Sequence, residues 1–252
     1  MSISYHIDSY SDNQKIWRYI DFTKLISLIE SSKLFLARAD SMVDDPFEGS
    51  YPLLNIIKRK KDGLPDKLLY ELEQVNTKFK EYVYFNCWHA NDYESAAMWN
   101  LYLKSNEGVA IQTKLKHLKN SLKNHNEHMI HIRDIKYIDY SKDEFNDNDV
   151  LEAFIHKRKS FEHEKEIRIM RALLNYSKSE DILNDPNKII IKGGLSIDVD
   201  LEMLIQKIYI APDAPKWFYN LVVDVLKRYD SIYNIDLSSR VKKSNLKIDP
   251  IF

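Results

Sequence analysis

Short runs of β-forming residues alternate with amphipathic helical patterns along the whole chain, and this mixture limits the fold more than any other feature. Residues 82–89 (YVYFNCWH), 108–114 (GVAIQTK) and 166–172 (EIRIMRA) are rich in residues that strands prefer. Segments 91–105 and 214–229 carry apolar residues at helical spacing. The sequence therefore predicts an α+β fold with a central mixed or mainly antiparallel sheet flanked by helices.

The length of 252 residues suits one domain with a sizeable core, and no linker or internal repeat divides the chain. We therefore expect a single α+β domain over residues 1–252, with the polar residues 1–15 loosely ordered. The segment 149–161 (DVLEAFIHKRKSF) is predicted to be an amphipathic helix.

Glycine is scarce, with only five residues. Loops that bind dinucleotides or nucleoside triphosphates need several glycines at fixed spacing. The only adjacent pair, Gly193 and Gly194, is more typical of a turn between strands. The sequence therefore argues against Rossmann and P-loop chemistry.

The overall charge and the first residues predict a soluble cytoplasmic protein. The formal net charge is −1, so no global field attracts nucleic acid or a membrane surface. The single cysteine, Cys87, excludes an intramolecular disulfide. The N-terminal residues lack the basic and apolar regions of a signal peptide, and no apolar run reaches the length of a membrane span.

Residues 159–171 (KSFEHEKEIRIMR) contain the main candidate site. If a strand begins near Glu164, then Glu164, Glu166 and Arg168 share one face and the intervening isoleucines share the other. Two carboxylates about 7 Å apart can divide acid–base work, one orienting a ligand and the other accepting a proton. Arg168 on this face and Lys159, near the end of the preceding predicted helix, are the ligand-binding candidates here. The alternative is a solvated strand face balanced by neighbouring lysines and arginines.

A second constellation combines Arg38 with Asp45, Phe47 and Glu48 in a loop broken by proline and glycine. An arginine beside carboxylates could clamp an anionic ligand with its guanidinium group. The alternative is a structural ion-pair network that holds the loop in place.

Trp17, Arg18 and Tyr19 precede the first predicted helix. Arg18 could bind phosphate, and Tyr19 could stack on a base or on nicotinamide. The alternative is an aromatic plug beneath the helix.

Cys87 and His89 lie two apart on a strand and could form a nucleophile–base pair, but this strand has the composition of a core strand.

Residues 114–133 contain five basic residues and one acidic residue, and Lys58–Lys61 form a second basic run. Such basic surfaces favour nucleic acid as a partner. Histidines recur at His125, His128 and His131, but neither cysteine nor an acidic cluster accompanies them. We therefore predict no metal site here.

Several motifs in order resemble a known family. They are DDPFEGS, FNCWH, KYIDY, KRKSFEHEKEIR and IYIAPDAPKWF, and with their neighbours they extend over roughly residues 17 to 240. This order is similar to that of an uncharacterised bacterial family called domain of unknown function 2971. The resemblance implies no reaction, but some members of such families lie near phage-defence or mobile-element genes, which implies a defence or toxin role.

The order of the candidate residues also resembles the ADP-ribosyltransferase plan. There an early arginine holds NAD, aromatic residues flank the nicotinamide, and a late glutamate stabilises the oxocarbenium-like state. That likeness implies ligand binding by Arg18, Tyr19 and Arg38, catalysis by Glu164 and Glu166, and NAD as the cofactor. The Ser-Thr-Ser strand of that plan is absent, and YFNCWH stands in its place.

Three functional hypotheses follow from these residues. The first is an ADP-ribosyltransferase-like enzyme with Glu164 and Glu166 catalytic. The second is a non-catalytic nucleic-acid-binding or sensor module that uses residues 114–133 and Lys58–Lys61. The third is a nucleic-acid hydrolase in which Asp45, Glu48 and the two glutamates surround Mg²⁺.

Overall fold

The computed structural model of the chain describes residues 4–42, 44–103, 105–122, 130–146, 149, 151–173 and 193–248. Ten of the described strands belong to one hydrogen-bonded sheet that contains parallel and antiparallel pairs, and two further strands pair with each other. Helices occur throughout the described chain. The predicted α+β class with a mixed sheet is confirmed.

The strands are β1 (Ser4–His6), β2 (Lys15–Asp21), β3 (Lys33–Arg38), β4 (Val83–Ala90), β5 (Gly108–Lys114), β6 (His131–Asp134), β7 (Lys136–Ile138), β8 (His156–Arg158), β9 (Glu166–Ala172), β10 (Gly194–Asp198), β11 (Lys207–Ile210) and β12 (Val241–Lys243). The α-helices are α1 (Phe22–Ser31), α2 (Leu53–Lys61), α3 (Asp66–Phe79), α4 (Ala96–Tyr102), α5 (Leu115–Ser121), α6 (Leu201–Leu204) and α7 (Lys216–Tyr233). Short 3₁₀ helices span Ala39–Ser41, Glu152–Phe154, Lys159–Glu164 and Ser238–Arg240.

The chain divides into two compact units, each built from three segments. The first unit comprises Met1–Asp8, Phe35–Cys87 and Glu127–Leu195. The second unit comprises Ser9–Leu34, Trp88–Asn126 and Ser196–Phe252. A single domain over residues 1–252 stays a prediction.

In the second unit, β5 lies between β2 and β11 and pairs antiparallel with both. Strand β12 continues this order by pairing parallel with β11. Strand β5 is buried along nearly its whole length, as its apolar sequence predicts. Helix α7 begins directly after Pro215, as predicted, and ends where Asn234 adopts a left-handed conformation with φ 55°.

In the first unit, β6 lies between β1 and β9 and pairs parallel with β1 and antiparallel with β9. Strand β3 pairs antiparallel with β4, and β7 pairs parallel with β8. The core of this unit includes Phe85, Phe154 and Met170. The pairing of Ser4–His6 with β6 lies within the segment predicted to be loosely ordered.

The predicted helix over residues 149–161 is wrong. A 3₁₀ turn at Glu152–Phe154 leads into the short strand β8, and a second 3₁₀ helix follows. The apolar residues that suggested a helical face, including Leu151, Phe154 and Ile155, are buried in the core instead. Pairing of β8 with β7 takes the backbone hydrogen bonds that a helix would have used.

Candidate active site

Four charged residues of the first unit converge although each is nearly excluded from solvent. Lys157 comes from β8, Glu164 ends the 3₁₀ helix that precedes β9, and Glu166 and Arg168 come from β9 itself. Lys165, between the glutamates, adopts a left-handed conformation with φ 41° and ψ 55°. The strand therefore starts two residues later than the sequence predicts, and both glutamates bind the same ammonium group.

Lys157 is the centre of this cluster. Its Nζ lies 2.6 Å from Glu164 Oε2 and 2.9 Å from Glu166 Oε2. Glu48 Oε2 is 3.8 Å from the same nitrogen. Burial alone would lower the pKa of Lys157, but the charges of Glu166 and the other carboxylates outweigh it and raise that pKa. Lys157 is therefore a permanent cation.

Arg168 is the second cation of the cluster. Its Nε lies 2.6 Å from Glu166 Oε1 and one terminal nitrogen lies 3.2 Å from Glu166 Oε2, a two-point contact. The other terminal nitrogen donates to the Phe154 carbonyl oxygen at 2.7 Å and forms an ion pair with Glu48. The guanidinium carbon also lies 4.3 Å from the centre of the Phe85 ring. These contacts satisfy a charge whose side chain is only 1% exposed.

The pKa values of the two glutamates shift in opposite directions. Burial would raise the pKa of Glu166, but Arg168 and Lys157 outweigh it and hold that pKa well below its usual range. Burial raises the pKa of Glu164, and the charge of Glu166 adds to the effect against the attraction of Lys157. Two neighbouring carboxyl groups with pKa values pushed apart are a common arrangement in acid–base sites.

Glu166 has a full set of donors. Besides Lys157 and Arg168, it takes a hydrogen bond from the Cys87 thiol. Burial, followed by the charge of Glu166, raises the pKa of Cys87, so the thiol stays protonated as a donor. The backbone N–H of Glu166 donates to Tyr137 Oη at 2.9 Å. Glu166 is therefore held on every side, whereas the Glu164 side chain keeps 9% of its surface exposed against 3% for Glu166.

The loop between Arg38 and α2 supplies two more buried carboxylates. The Phe47 N–H donates to Asp45 Oδ1 at 3.0 Å, and the Glu48 N–H donates to the Asp45 carbonyl at 3.0 Å. Gly49 has φ 70°, and a Cβ there would lie 2.9 Å from the Phe154 ring. A glycine is required at this position, and the resulting turn directs Asp45 and Glu48 inward.

Asp45 is paired with Arg158, the residue after Lys157. Arg158 Nε and one terminal nitrogen both lie 2.9 Å from Asp45 Oδ1. The guanidinium carbon lies 4.7 Å from the centre of the Phe47 ring and 5.5 Å from that of Phe161. The Phe161 ring also lies 5.5 Å from Lys157 Nζ, so the Asp45 pair adjoins the buried cluster.

The structure thus brings together five of the predicted site residues. Glu164, Glu166, Arg168 and Glu48 share one network, and Asp45 adjoins it through Arg158. The solvated strand face considered for the glutamates is wrong, because Glu164 and Glu166 are only 7% and 3% exposed. The balancing cations that this alternative expected are present, and they are Lys157 and Arg168.

Other predicted ligand-binding residues lie elsewhere. Arg38 forms a two-point ion pair with Asp40, at 2.6 and 2.7 Å, near the surface. Lys159 points outward, with its Nζ 3.4 Å from Asp143. These contacts leave neither side chain in the buried network.

Arg18 and Tyr19 belong to β2 in the second unit. Tyr19 is buried beside Trp17 and Trp99, with ring centres 4.9 Å from Trp99. Its hydroxyl accepts the Ser95 N–H at 2.9 Å. This is the aromatic packing that formed the alternative interpretation of the Trp17–Tyr19 segment.

Sequence reasoning missed Lys157, Arg158 and Phe161, which contact the carboxylates or one another. The basic run before the glutamates could have pointed to Lys157 and Arg158, but the incorrect helix prediction for this segment placed their side chains in other directions. A helix places neighbouring side chains about 100° apart, whereas the observed strand and 3₁₀ turn direct Lys157 inward and leave Arg158 at the rim.

The basic segment is only partly described. Lys119 pairs with Asp12 at 2.6 Å, and Arg133 lies 3.4 Å from Asp149 and 3.5 Å from Glu152. His125 and His128 lie outside the described residues. Within the described ranges, no group of three or more histidine, cysteine or acidic side chains has the arrangement of a metal site.

Comparison with models of protein families gives a match. The profile of a family described as "Protein of unknown function (DUF2971)" matches residues 98–169. The chain resembles that family over this stretch. The resemblance confirms the sequence prediction there, and the stretch runs from α4 into β9 and contains Lys157, Glu164, Glu166 and Arg168. The wider resemblance over residues 17 to 240 stays a prediction.

No curated protein and no solved structure matches the chain. Among the described helices, none has the length and apolar character that crossing a membrane would require. The cytoplasmic location stays a prediction.

Proposed function

We propose that this chain is an ADP-ribosyltransferase-like enzyme in which Glu164 is the catalytic base. The single observation that carries the proposal is the division between two neighbouring glutamates. Glu166 is saturated by Lys157, Arg168 and Cys87 and stays ionised, whereas Glu164 has a raised pKa and retains some exposure. A carboxylate with a raised pKa is the better proton acceptor near neutral pH.

The reaction uses NAD as its substrate. The glycosidic bond between ribose C1′ and the nicotinamide nitrogen breaks, and its electron pair leaves with neutral nicotinamide. A nucleophile, either water or an acceptor group, forms the new bond to C1′ of the oxocarbenium-like state. The proton lost by that nucleophile passes to Glu164.

The other charged residues hold Glu164 in place. Lys157 keeps its ammonium group 2.6 Å from Glu164 Oε2, which orients the carboxylate. Glu166 in turn accepts a hydrogen bond from Lys157. Arg168 holds Glu166 in place through the two-point contact described above. In this proposal Glu166 is a positioning residue, and Asp45 and Glu48 belong to its support.

The metal-dependent hydrolase is less well supported. Each of its four carboxylates, Asp45, Glu48, Glu164 and Glu166, already contacts a lysine or arginine of the first unit. A divalent cation would have to displace these cations. The positive charges of Lys157, Arg158 and Arg168 would repel Mg²⁺, and they occupy the oxygen atoms that would have to bind it.

Nucleic-acid binding is the second alternative, and the described contacts favour it less. Lys119 and Arg133 have acidic partners, which reduces the positive field of the described part of residues 114–133. A defence or toxin role would follow from the family resemblance and stays a prediction.

The test is a mass-spectrometric assay of nicotinamide release. Purified protein is incubated with NAD and a mixture of cellular protein and nucleic acid, with Glu164→Gln in parallel. We expect release by the wild type and a loss of about 100-fold or more in Glu164→Gln, the contribution typical of a general base. Glu162→Gln is the matched control, because Glu162 is exposed on the same 3₁₀ helix.

Two results would reject the proposal. One is the absence of nicotinamide release from folded wild-type protein, as judged by circular dichroism. The other is release that Glu164→Gln leaves unchanged. A steep salt dependence of nucleic-acid binding by the same inactive protein would then favour the binding module.

A further inference from the structure

Arg158 is a partly exposed arginine flanked by two aromatic rings at the rim of the buried cluster. Its side chain is 35% exposed. The Phe47 and Phe161 rings lie 4.7 Å and 5.5 Å from its guanidinium carbon. Phe47 is itself 40% exposed. The guanidinium group thus lies over one face of the Phe47 ring, and both groups are partly exposed to solvent.

Hydrogen bonding leaves capacity on both members of the Arg158–Asp45 pair. Two nitrogens of Arg158 contact the same oxygen, Asp45 Oδ1. Within the described residues, the remaining terminal nitrogen of Arg158 has no hydrogen bond or ion pair. Asp45 Oδ2 is buried and has no hydrogen-bond partner in the described part of the chain. One donor and one acceptor therefore remain for a ligand.

Lys80 adds a second cation near these carboxylates. Burial lowers the pKa of Lys80, and the charges of Glu48 and Asp45 offset this lowering only in part. Its Cε lies against Gly49, in the loop that carries both acids. Among the described residues it makes no ion pair. A partly desolvated ammonium group without a close counter-ion would gain from an anionic ligand.

We propose that Phe47, Asp45 and Arg158 form a subsite for a nucleoside phosphate. The free nitrogen of Arg158 binds the phosphate, and Lys80 contributes positive charge. The base stacks on the exposed Phe47 ring, and a hydroxyl or amino group of the ligand donates to Asp45 Oδ2. Stacking on an aromatic ring and charge-assisted bonds to phosphate are both general modes of nucleotide binding.

This inference rests on the proposed function, because it assigns the subsite to the ADP half of NAD. The geometry connects the two sites through one ring. Phe161 lies 5.5 Å from both the Arg158 guanidinium carbon and Lys157 Nζ, and Lys157 binds Glu164. A nucleotide phosphate at Arg158 would therefore leave the rest of the substrate near Glu164.

Isothermal titration calorimetry with ADP tests the subsite, with adenosine and inorganic phosphate as partial probes. We expect ADP to bind more tightly than either part. Arg158→Gln should weaken ADP binding by about tenfold or more, and Phe47→Ala by about fivefold or more, from loss of a charge-assisted bond and of stacking. Arg59→Gln is the matched control, since Arg59 stacks on Tyr51 at 4.2 Å in the same unit.

Arg158→Gln removes the partner of buried Asp45 and could unfold the loop, so melting temperatures are measured for every variant. Phe47→Ala changes an exposed ring and keeps the test valid in that case. Absence of ADP binding by folded wild-type protein would overturn the subsite. So would ADP binding that neither Phe47→Ala nor a folded Arg158→Gln weakens.

The two proposals fail in different ways. ADP binding that depends on Arg158 or Phe47, without nicotinamide release, supports the subsite and rejects the transferase chemistry. Release that depends on Glu164 but is unchanged in Phe47→Ala and Arg158→Gln supports the chemistry and rejects the subsite.

Discussion

Two buried side-chain clusters, one charged and one aromatic, show different ways of stabilising an interior. The charged cluster of the first unit contains Glu166 and Arg168, which are 3% and 1% exposed. The aromatic cluster of the second unit contains Trp17 and Tyr19, which are 2% and 5% exposed. The side chains of the two clusters are buried to a similar extent, but burial contributes to stability with opposite sign in the two clusters.

In the aromatic cluster, burial itself stabilises the fold because each ring is mostly apolar. The few polar atoms have partners. Trp17 Nε1 donates to the Asn91 carbonyl at 2.7 Å, and Tyr19 Oη accepts the Ser95 N–H.

In the charged cluster, burial opposes ionisation and only the internal pairing keeps the charges in place. Apolar residues of similar volume would stabilise such an interior as well or better. Stability alone therefore does not account for the cluster. This difference is why we place the proposed chemistry at Glu164 and its neighbours, and give the aromatic cluster a structural role.

The largest expected effect is that of Arg168→Met. This change leaves Glu166 and Glu48 buried with fewer cations, and we expect it to lower the free energy of unfolding by about 3–5 kcal/mol. Urea denaturation at pH 7 measures the change. Arg228→Met, at an exposed position of α7, is the control and should change it by less than about 0.5 kcal/mol. If Arg168→Met and Arg228→Met lowered the free energy of unfolding equally, the charged cluster would not depend on its internal pairing as described above.

A smaller effect is expected for Tyr19→Phe in the aromatic cluster. The ring stays, but the partly buried Ser95 N–H loses its acceptor, which should lower the free energy of unfolding by about 1 kcal/mol. Tyr70→Phe, at an exposed position of α3, should have no measurable effect. A Tyr19→Phe loss as large as that of Arg168→Met would show that the aromatic cluster also depends on polar pairing.

The smallest expected effect is the pH dependence of the contribution that Glu164 makes to stability. The sign of this dependence is opposite to that expected for Glu166. Because the pKa of Glu164 is raised above its ordinary value near 4.5, the folded state holds more protons there than the unfolded state does. The contribution of Glu164 to stability is therefore full below pH 4.5 and falls as the pH rises through the folded pKa.

Glu166 behaves in the opposite way. Its pKa is lowered, so its contribution is full above pH 4.5 and is lost as the pH falls through the folded pKa. Urea denaturation of the wild type and Glu164→Gln from pH 4 to pH 8 tests the sign. We expect the stability of the wild type relative to the variant to decrease as the pH rises. An increase would mean that Lys157 dominates the titration of Glu164.

The sequence correctly predicts the fold class and several elements, because these depend on local composition. Strand β5 follows from its β-forming residues, and α7 follows from Pro215 and the helical spacing after it. The prediction fails at residues 149–161, where apolar spacing suits a helix but β7 provides a strand partner. Pairing with a distant segment overrides local propensity.

For the site, the sequence by itself selects the carboxylates and Arg168, because the alternating pattern of charged residues can be recognised in the sequence. It does not show that they are buried, since an alternating charged strand is usually a solvated one. That depends on β8, which brings Lys157 to both glutamates, and on the turn at Gly49, which brings Glu48 to Arg168. These contacts join segments far apart in the chain, so only the tertiary structure decides which cation meets which acid and in which direction the pKa of each glutamate shifts.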